Sequence, residues 1–301
     1  MTLKIIGVPT DHGANRRGVD MGPSAVRYAE LVPSLEKAGV DVEDTGNIPV
    51  STASQLQERG EEKVDEDQVY HLPEVEEVTR KLSDRVAEVI EEGDIPLALG
   101  GDHTVAIGSI KGAARAANPG ILWFDAHSDI NSIKTSPSGN VHGMVFAAAL
   151  GIDEFEGSEW ANAVIEENNI VQIGIRSVDD DERERLRESD ITVYTMSDID
   201  RRGIDEITEE ALDIATADTE SLHVSLDIDW LDPNEAPGVG TPVYGGVTYR
   251  EAHLAMETVS EYDCNLNSVD LVEVNPILDE SNQTAELGVE VLTSLFGKSI
   301  I

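Results

Sequence analysis

The fold of this chain is decided by residues 121–129, which read ILWFDAHSD. Four apolar residues, typical of a buried strand, are followed by Asp125, His127 and Asp129 at every second position. Because side chains alternate along an extended backbone, these three ligand-type groups point the same way. The stretch therefore predicts the carboxyl end of a buried strand that offers three metal ligands to one place.

Two further apolar runs end in residues of the same kind. Asp227 and Asp229 close the run 222–226, and His103 follows the run 97–102. Stretches of helical period separate these runs, which predicts repeated strand–helix–strand units and an α/β fold with a parallel sheet. Ligands gather beyond the carboxyl ends of such strands, so we expect all six residues at one edge of the sheet.

The same periodicities give a map of the chain. Strands are predicted at 3–8, 96–100, 120–125, 168–176, 191–196, 221–228 and 267–274, and helices include 23–38, 75–92, 104–117, 205–216, 248–260 and 283–297. The acidic segment 51–68 is predicted to be a solvated loop or a helix edge. Turn-rich segments at 7–23, 135–143 and 232–246 are predicted to wall a pocket beside the ligands. We expect a single domain over residues 1–301.

The charge composition restricts the partners. Asp and Glu number 60 against 21 Lys and Arg, so the formal net charge is −39. This excess excludes nucleic acid and anionic membranes as expected partners. At about 1 M salt the Debye length falls to about 3 Å and self-repulsion is screened, so the composition favours a halophilic protein. The alternative is an ordinary acidic protein from a low-salt organism.

The cysteine content and the apolar runs indicate the compartment. Cys264 is alone, which excludes an intrachain disulfide and makes a thiolate metal site improbable. The chain begins on a strand-like run without the pattern of a signal peptide, and no apolar run is long enough to cross a bilayer. We therefore expect a cytoplasmic protein.

The six ligand-type residues suit a pair of divalent cations. They are His103, Asp125, His127, Asp129, Asp227 and Asp229. Each motif alone could be a helix cap or a structural histidine, but four carboxylates buried together need cations. Mostly oxygen ligands with one imidazole per metal favour two Mn²⁺, although Zn²⁺, Ni²⁺ or Co²⁺ could compete. Two ions about 3.5–4 Å apart activate a bridging water, so the pattern indicates a metallohydrolase.

Three motifs in this order resemble those of the ureohydrolase family, which includes arginase and agmatinase. They are GGDH at 100–103, DAHSD at 125–129 and SLDID at 225–229. The resemblance covers nearly the whole chain and implies a three-layer α/β/α fold around a mainly parallel, eight-stranded sheet, one strand more than the periodicities gave. It also implies hydrolysis of a guanidinium group to urea, and assembly as a homotrimer or homohexamer.

The resemblance also implies how two Mn²⁺ would be shared. By motif position, one ion would be held by His103, Asp125, Asp129 and Asp227, and the other by Asp125, His127, Asp227 and Asp229. Asp125 and Asp227 would therefore bridge the two ions.

The loop after the second motif is more similar to arginase than to agmatinase. The resemblance implies that Asn131 and Ser138 hydrogen-bond the α-carboxylate of L-arginine, whereas agmatine has no carboxylate. Asp179 would face the α-ammonium. Glu273 would pair with the guanidinium, for which a planar bidentate contact is the natural match, and Thr241 would support the same region. The expected substrate is therefore L-arginine, and the expected products are L-ornithine and urea.

The implied chemistry is attack of a metal-bridging hydroxide on the guanidinium carbon. Asp129 would carry the proton to the leaving amino group, and His142 is the candidate proton shuttle. The remaining histidines, His12, His71, His223 and His253, are interpreted as structural. Trp230 stands where the family usually has glycine and could reshape the pocket floor.

Two alternatives remain open at the level of sequence. The first is another ureohydrolase, such as an agmatinase, a guanidinobutyrase or a formiminoglutamase, which would prefer a substrate without the α-amino acid head. The second is a metal-dependent arginine-binding protein that does not turn over.

Overall fold

A computed structural model of the protein describes residues 1–14, 17–51 and 69–298. Its strands are β1 (Leu3–Val8), β2 (Val42–Asn47), β3 (Ile95–Gly100), β4 (Pro119–Phe124), β5 (Ile170–Ile175), β6 (Thr192–Thr195), β7 (Ser221–Asp227) and β8 (Leu266–Val272). They form one sheet in the order β2-β1-β3-β8-β7-β4-β5-β6, and each neighbouring pair is parallel. The eight-stranded parallel sheet implied by the family resemblance is thus confirmed.

Helices connect most of these strands. They are α1 (Gly22–Tyr28), α2 (Leu31–Lys37), α3 (Leu72–Glu91), α4 (Val105–Ala116), α5 (Val145–Leu150), α6 (Asp180–Glu188), α7 (Met196–Arg202), α8 (Ile204–Ala215), α9 (Tyr249–Glu261) and α10 (Gln283–Leu295). None of the helices in the described ranges is both long and apolar enough to span a membrane.

The helices cover both faces of the sheet. In β4, Leu122 and Phe124 pack into a buried apolar cluster with residues of α8, α9 and α10. Ile121 and Trp123 point to the opposite face, where they pack with α4 and α5. Because successive residues of a strand face opposite sides, a sheet that is apolar at consecutive positions must be covered twice. The three-layer α/β/α architecture follows.

Two elements differ from the map predicted by periodicity. Strand β2 reads VEDTGN and was missed, because it lies at the edge of the sheet with mostly exposed side chains and needs no apolar run. The single helix predicted at 23–38 is two helices, α1 and α2. They are separated near Glu30, whose φ of 61° lies in the left-handed region and cannot continue a right-handed helix. Of the segment predicted at 51–68, residues 52–68 lie outside the described residues.

The register of the central strands positions the ligands. Phe124 of β4 pairs with Leu226 of β7. Asp125 and Asp227 come next on these two strands and therefore lie side by side. The neighbouring strands β8 and β3 are parallel to them and end at the same edge. This edge is where the sequence places all six predicted ligands.

Candidate active site

His103 is the centre of one group of predicted ligands. Its Nδ1 lies 3.1 Å from Asp125 Oδ2, 3.1 Å from Asp227 Oδ2 and 3.3 Å from Asp129 Oδ2. The ring is buried, and Nδ1 has no hydrogen-bond partner among the described residues. A buried polar atom normally has a hydrogen-bond partner or a bound ion. This nitrogen and the three carboxylates are therefore suited to bind a cation between them.

The other ring nitrogen of His103, Nε2, is positioned by Ser225. Nε2 lies 2.9 Å from Ser225 Oγ, and Ser225 donates to Asp270 Oδ1 at 2.5 Å. Because Ser225 gives its hydrogen to Asp270, its oxygen is free to accept from Nε2–H. The lone pair of Nδ1 is then left facing the carboxylates, as a metal ligand requires. His223 lies further back, with Nε2 3.2 Å from Asp270 Oδ2.

His127 is the centre of a second group. Its Nδ1 lies 3.1 Å from Asp229 Oδ2 and 3.5 Å from Asp125 Oδ1. Asp229 also receives a hydrogen bond from Thr241 Oγ1 at 3.1 Å. Asp125 thus faces both histidines, one with each carboxylate oxygen. The ligand atoms of His103, Asp125 and Asp129, and likewise those of Asp125, His127 and Asp229, lie within 4.8 Å of one another.

We call the six predicted ligands the ligand cluster: His103, Asp125, His127, Asp129, Asp227 and Asp229. Their negative charges need compensation. Burial, strengthened by the charges of Asp229 and Asp125, raises the pKa of Asp227 well above its usual range. Burial and the charge of Asp125 also raise the pKa of Asp129. Carboxylates whose ionisation is opposed in this way would be stabilised as anions by cations between them. The donor set therefore fits metal ions.

His142 and Glu273 form a pair beside the ligand cluster. His142 Nδ1 lies 3.0 Å from Glu273 Oε1, and the same oxygen accepts the backbone N–H of His103 at 3.0 Å. Burial opposes the charge on the imidazole, but Glu273 together with the charges of Asp129 and Asp102 outweighs it and raises the pKa of His142 to about 9. The geometry thus favours a protonated His142 at neutral pH.

A cavity of about 240 Å³ opens above the ligand cluster. The predicted residues that line it are His127, Asp129, Asn131, Ser138, His142, Asp179, Asp227 and Thr241. The other predicted residues are buried and are not part of its described lining: they are His103, Asp125, Asp229 and Glu273. Among the described residues, none of the histidines interpreted as structural reaches the lining. The structure thus brings all twelve predicted residues to one place.

The mouth of the cavity carries groups that suit an α-amino acid. We call Asn131, Ser138, Asp179 and Glu182 the rim. Asp179 caps the N-terminus of α6, where its Oδ1 accepts from Glu182 N at 2.9 Å, and Glu182 Oε2 accepts from Asp179 N at 3.1 Å. Burial raises the pKa of the Glu182 carboxyl to about 7. The rim therefore combines an amide and a hydroxyl with two carboxyl groups.

Sequence reasoning did not name five of the lining residues as site residues, and these are Ser136, Pro137, Gly143, Ser177 and Glu182. Helix α6 was not among the predicted helices because it reads DDERERLRE and has no apolar face. The signal that could have revealed Glu182 is the spacing of Asp179 and Glu182, which matches a helix capping box. Ser136 lies in the segment predicted to wall the pocket, two residues before Ser138.

The prediction that segment 7–23 walls the pocket is wrong for its described residues, none of which lines the cavity. The segment supports the site from outside. Gly13 donates its N–H to the buried carboxylate of Asp102 at 2.8 Å, and its carbonyl accepts the backbone N–H of His142 at 3.2 Å. Its position is fixed by these backbone contacts, which residue types alone do not indicate.

The expectation that Trp230 could reshape the pocket floor is also not met. Trp230 is fully buried in the apolar core, with its ring centroid 4.8 Å from that of Phe124, and it is absent from the described lining. Gly174 has a φ of +96°, and a Cβ built on it would lie 2.2 Å from Trp230 Nε1. The indole thus occupies the space beside a glycine that the backbone requires.

Comparison with known proteins places the chain in one family. The model described as the Arginase family matches residues 1–297. Arginase from Bacillus subtilis (strain 168) is 48% identical over 305 residues, covering 100% of this chain and 99% of that protein. Arginase from Bacillus caldovelox is 46% identical over 302 residues, with 99% of each chain covered. A crystal structure of arginase from Bacillus subtilis superposes with a TM-score of 0.91 at 47% identity, over 100% of both chains. The chain therefore belongs to the arginase family.

Proposed function

We propose that this protein acts as an arginase and hydrolyses L-arginine to L-ornithine and urea. The observation that carries the proposal is a single cavity that joins the ligand cluster to a rim with donors and acceptors for an α-amino acid head. Asn131 and Ser138 would bind the carboxylate, and Asp179 and Glu182 would face the ammonium. Agmatine has no carboxylate and would leave polar groups of the rim unpaired, which disfavours it as the substrate.

We propose two Mn²⁺ per chain as the cofactor. One ion would be held by His103, Asp125, Asp129 and Asp227, and the other by Asp125, His127, Asp227 and Asp229. The unpartnered Nδ1 of His103 and the position of Asp125 between the two histidines support this assignment. When bound, the two ions would supply an activated water for attack on the guanidinium carbon.

The side chains around the ions would orient the substrate and move protons. Asp129 belongs to the ligand cluster and also lines the cavity, and it would transfer a proton to the departing amino group. His142, protonated at neutral pH through its contact with Glu273, would act as a proton donor towards the cavity. Glu273 lies between His142 and the backbone of His103 and would face the guanidinium from there. Thr241 would hold Asp229 in place.

The test is urea release by Mn²⁺-loaded protein at molar salt. We expect turnover of L-arginine, with kcat/KM at least about a hundredfold lower for agmatine, 4-guanidinobutyrate and formiminoglutamate. Agmatine lacks the α-carboxylate, 4-guanidinobutyrate lacks the α-ammonium, and formiminoglutamate lacks the guanidinium. A preference for agmatine or guanidinobutyrate would overturn the choice of substrate. Tight binding of L-arginine without urea would instead support an arginine-binding protein.

The proposal extends to the setting of the enzyme. The net charge of −39 supports a halophilic protein, and the one eight-stranded sheet supports a single domain over residues 1–301. We also propose a cytoplasmic location, and the family resemblance supports a homotrimer or homohexamer. We expect the melting temperature to rise between 0.1 M and 3 M KCl as self-repulsion is screened. A melting temperature that is indifferent to KCl would contradict the halophilic assignment, and light scattering at 3 M KCl would measure the assembly.

A further inference from the structure

We propose that Thr135 is a positioning residue that fixes the side-chain amide of Asn131 with its donor towards the substrate carboxylate, and so contributes to the preference for an α-amino acid head. This inference rests on the proposed function. Thr135 is not among the residues that line the cavity, so it would act through Asn131 and not by touching the substrate.

The amide of Asn131 needs such a constraint because its two ends have nearly the same shape and opposite hydrogen-bonding character. With Nδ2 towards the substrate, the amide donates to a carboxylate. With Oδ1 in that place, a lone pair would face the carboxylate and repel it. Asn131 is buried, with 6% of its surface exposed, so solvent does not select the orientation.

The hydroxyl of Thr135 has a defined direction. Its oxygen accepts the backbone N–H of Ser132 at 2.8 Å. Its hydrogen is therefore free to be donated to Asn131 Oδ1, which lies 2.7 Å away. The only other acceptor described for this hydrogen, Ser132 Oγ, lies 3.5 Å away, so the shorter contact favours Asn131 Oδ1 and marks that end of the amide as the acceptor end.

The opposite end of the same amide is constrained as well. Asn131 Nδ2 donates to Asp179 Oδ2 at 2.8 Å, and the other oxygen of Asp179 accepts from Glu182 N at the start of α6. The donors thus point one way from the backbone of Ser132 through Thr135 and Asn131 to Asp179, where the start of α6 donates from the other side. In this arrangement, Asn131 Nδ2 keeps one hydrogen for the carboxylate and Asp179 keeps lone pairs for the ammonium. Thr135 supplies the hydroxyl through which these contacts reach Asn131.

The test compares Thr135→Val, which keeps the shape and removes the hydroxyl, with Thr135→Ser, which keeps the hydroxyl. For Thr135→Val we expect KM for L-arginine to rise about fivefold to tenfold, while kcat stays within about twofold, because the loss concerns binding of the head and not the reaction. The kcat/KM for agmatine should not change. Thr135→Ser should match the natural protein in all three measurements.

Binding of non-reacting ligands separates this role from a merely structural one. In Thr135→Val we expect weaker inhibition by L-ornithine and by 5-aminovalerate, which carry a carboxylate, and unchanged inhibition by putrescine, which carries none. Equal losses for all three ligands, a fall in Mn²⁺ content, or an unchanged KM for L-arginine would each overturn the inference. Thr135→Ala makes the same point if the valine variant does not fold.

The natural protein is assayed first, so that the two failures can be told apart. If it releases no urea from L-arginine when loaded with Mn²⁺, the proposed function fails. If it does release urea and Thr135→Val behaves as the natural protein, only the role of Thr135 fails.

Discussion

The floor of the cavity, which is the ligand cluster, is positioned by the ends of strands, whereas the rim is positioned by loops and by the start of a helix. Asp125 and Asp227 leave adjacent central strands and are almost fully buried. Ser138 is exposed, and Asn131 and Asp179 depend on hydrogen bonds between segments that are distant in sequence. The difference indicates that the sheet fixes the chemistry, while the choice of substrate depends on segments that can change without disturbing the sheet.

The largest expected effect comes from breaking the floor. Asp227→Ala removes a carboxylate that faces His103 and would bridge the two ions, so we expect the metal content to fall well below two ions per chain. Activity should fall on the order of 10³-fold or more, since the activation of water depends on the ions. Elemental analysis and the urea assay check this. Full occupancy by two ions in Asp227→Ala would show that Asp227 is not a ligand.

His142 lies between the floor and the rim, so its replacement should lower catalysis without affecting metal binding. In His142→Ala we expect turnover to fall on the order of a hundredfold, the scale of a lost proton donor, while two ions remain per chain. Elemental analysis on the same preparation is the control. Loss of metal in this variant would make His142 a ligand and contradict the role proposed for it.

Asp270, which orients Ser225 and through it His103, should affect metal affinity more than the reaction itself. In Asp270→Asn the amide can donate to Ser225, which then turns its hydrogen towards His103 Nε2 and favours the tautomer that cannot bind metal through Nδ1. We expect the affinity for Mn²⁺ to fall about tenfold to a hundredfold, measured by calorimetric titration of the apoprotein. Ser268→Ala is the matched control, because Ser268 contacts His223, which contacts Asp270, so Ser268 lies two contacts further from His103 than Asp270 does. Equal affinities in the natural protein and Asp270→Asn would rule out this relay.

Changes at the rim should leave the floor intact. Ser138→Ala removes one donor proposed for the α-carboxylate, so KM for L-arginine should rise about fivefold with little change in kcat or Mn²⁺ content. Agmatine, without a carboxylate, should be hydrolysed at the rate of the natural protein. A matching rise in KM for both substrates would place the effect of Ser138 elsewhere.

The smallest effect concerns the pH dependence of stability at the rim. Burial raises the pKa of Glu182 to about 7 from its ordinary value of 4.5. Between these values the unfolded chain ionises Glu182 while the folded chain holds it protonated, so this group lowers stability as pH rises from about 4.5 to about 7. Glu182→Gln removes the titration. We expect its melting temperature, relative to the natural protein, to increase by a few degrees between pH 5 and pH 7.5. A constant difference across this range would show that Glu182 does not titrate there.

The floor could be predicted from the sequence because its ligands follow apolar strands with the period of an extended backbone. Parallel strands end at one edge, so His103, Asp125 and Asp227 were expected together before any distance was known. The strand β2 and the helix α6 could not be found this way. Both are mostly polar, and their places in the fold depend on pairing and capping instead of on buried faces.

The rim was predicted only in part, and mainly through the family resemblance. Asn131, Ser138 and Asp179 were named, but Glu182 was not, and the role inferred for Thr135 depends on the direction of a hydroxyl. The positions of Trp230 and of segment 7–23 were misjudged for a related reason. Trp230 fills the space beside Gly174, and segment 7–23 is held by hydrogen bonds of the Gly13 backbone, and residue type discloses neither.

The backbone at two site residues has a consequence for engineering heat resistance. Asp129 and Glu273 have φ values of 50° and 64°, in the left-handed region where a non-glycine residue costs about 1 kcal/mol or more. Glycine at either position would relieve this strain and remove a group that the reaction is proposed to use. At Asp129, where burial also opposes the charge of the carboxylate, a selection for thermal survival alone would therefore favour inactive proteins, whereas at Glu273 glycine would also lose the hydrogen bonds to His103 and His142. Variants of this enzyme should be sorted by the urea they release after heating, because activity and stability are in competition at Asp129.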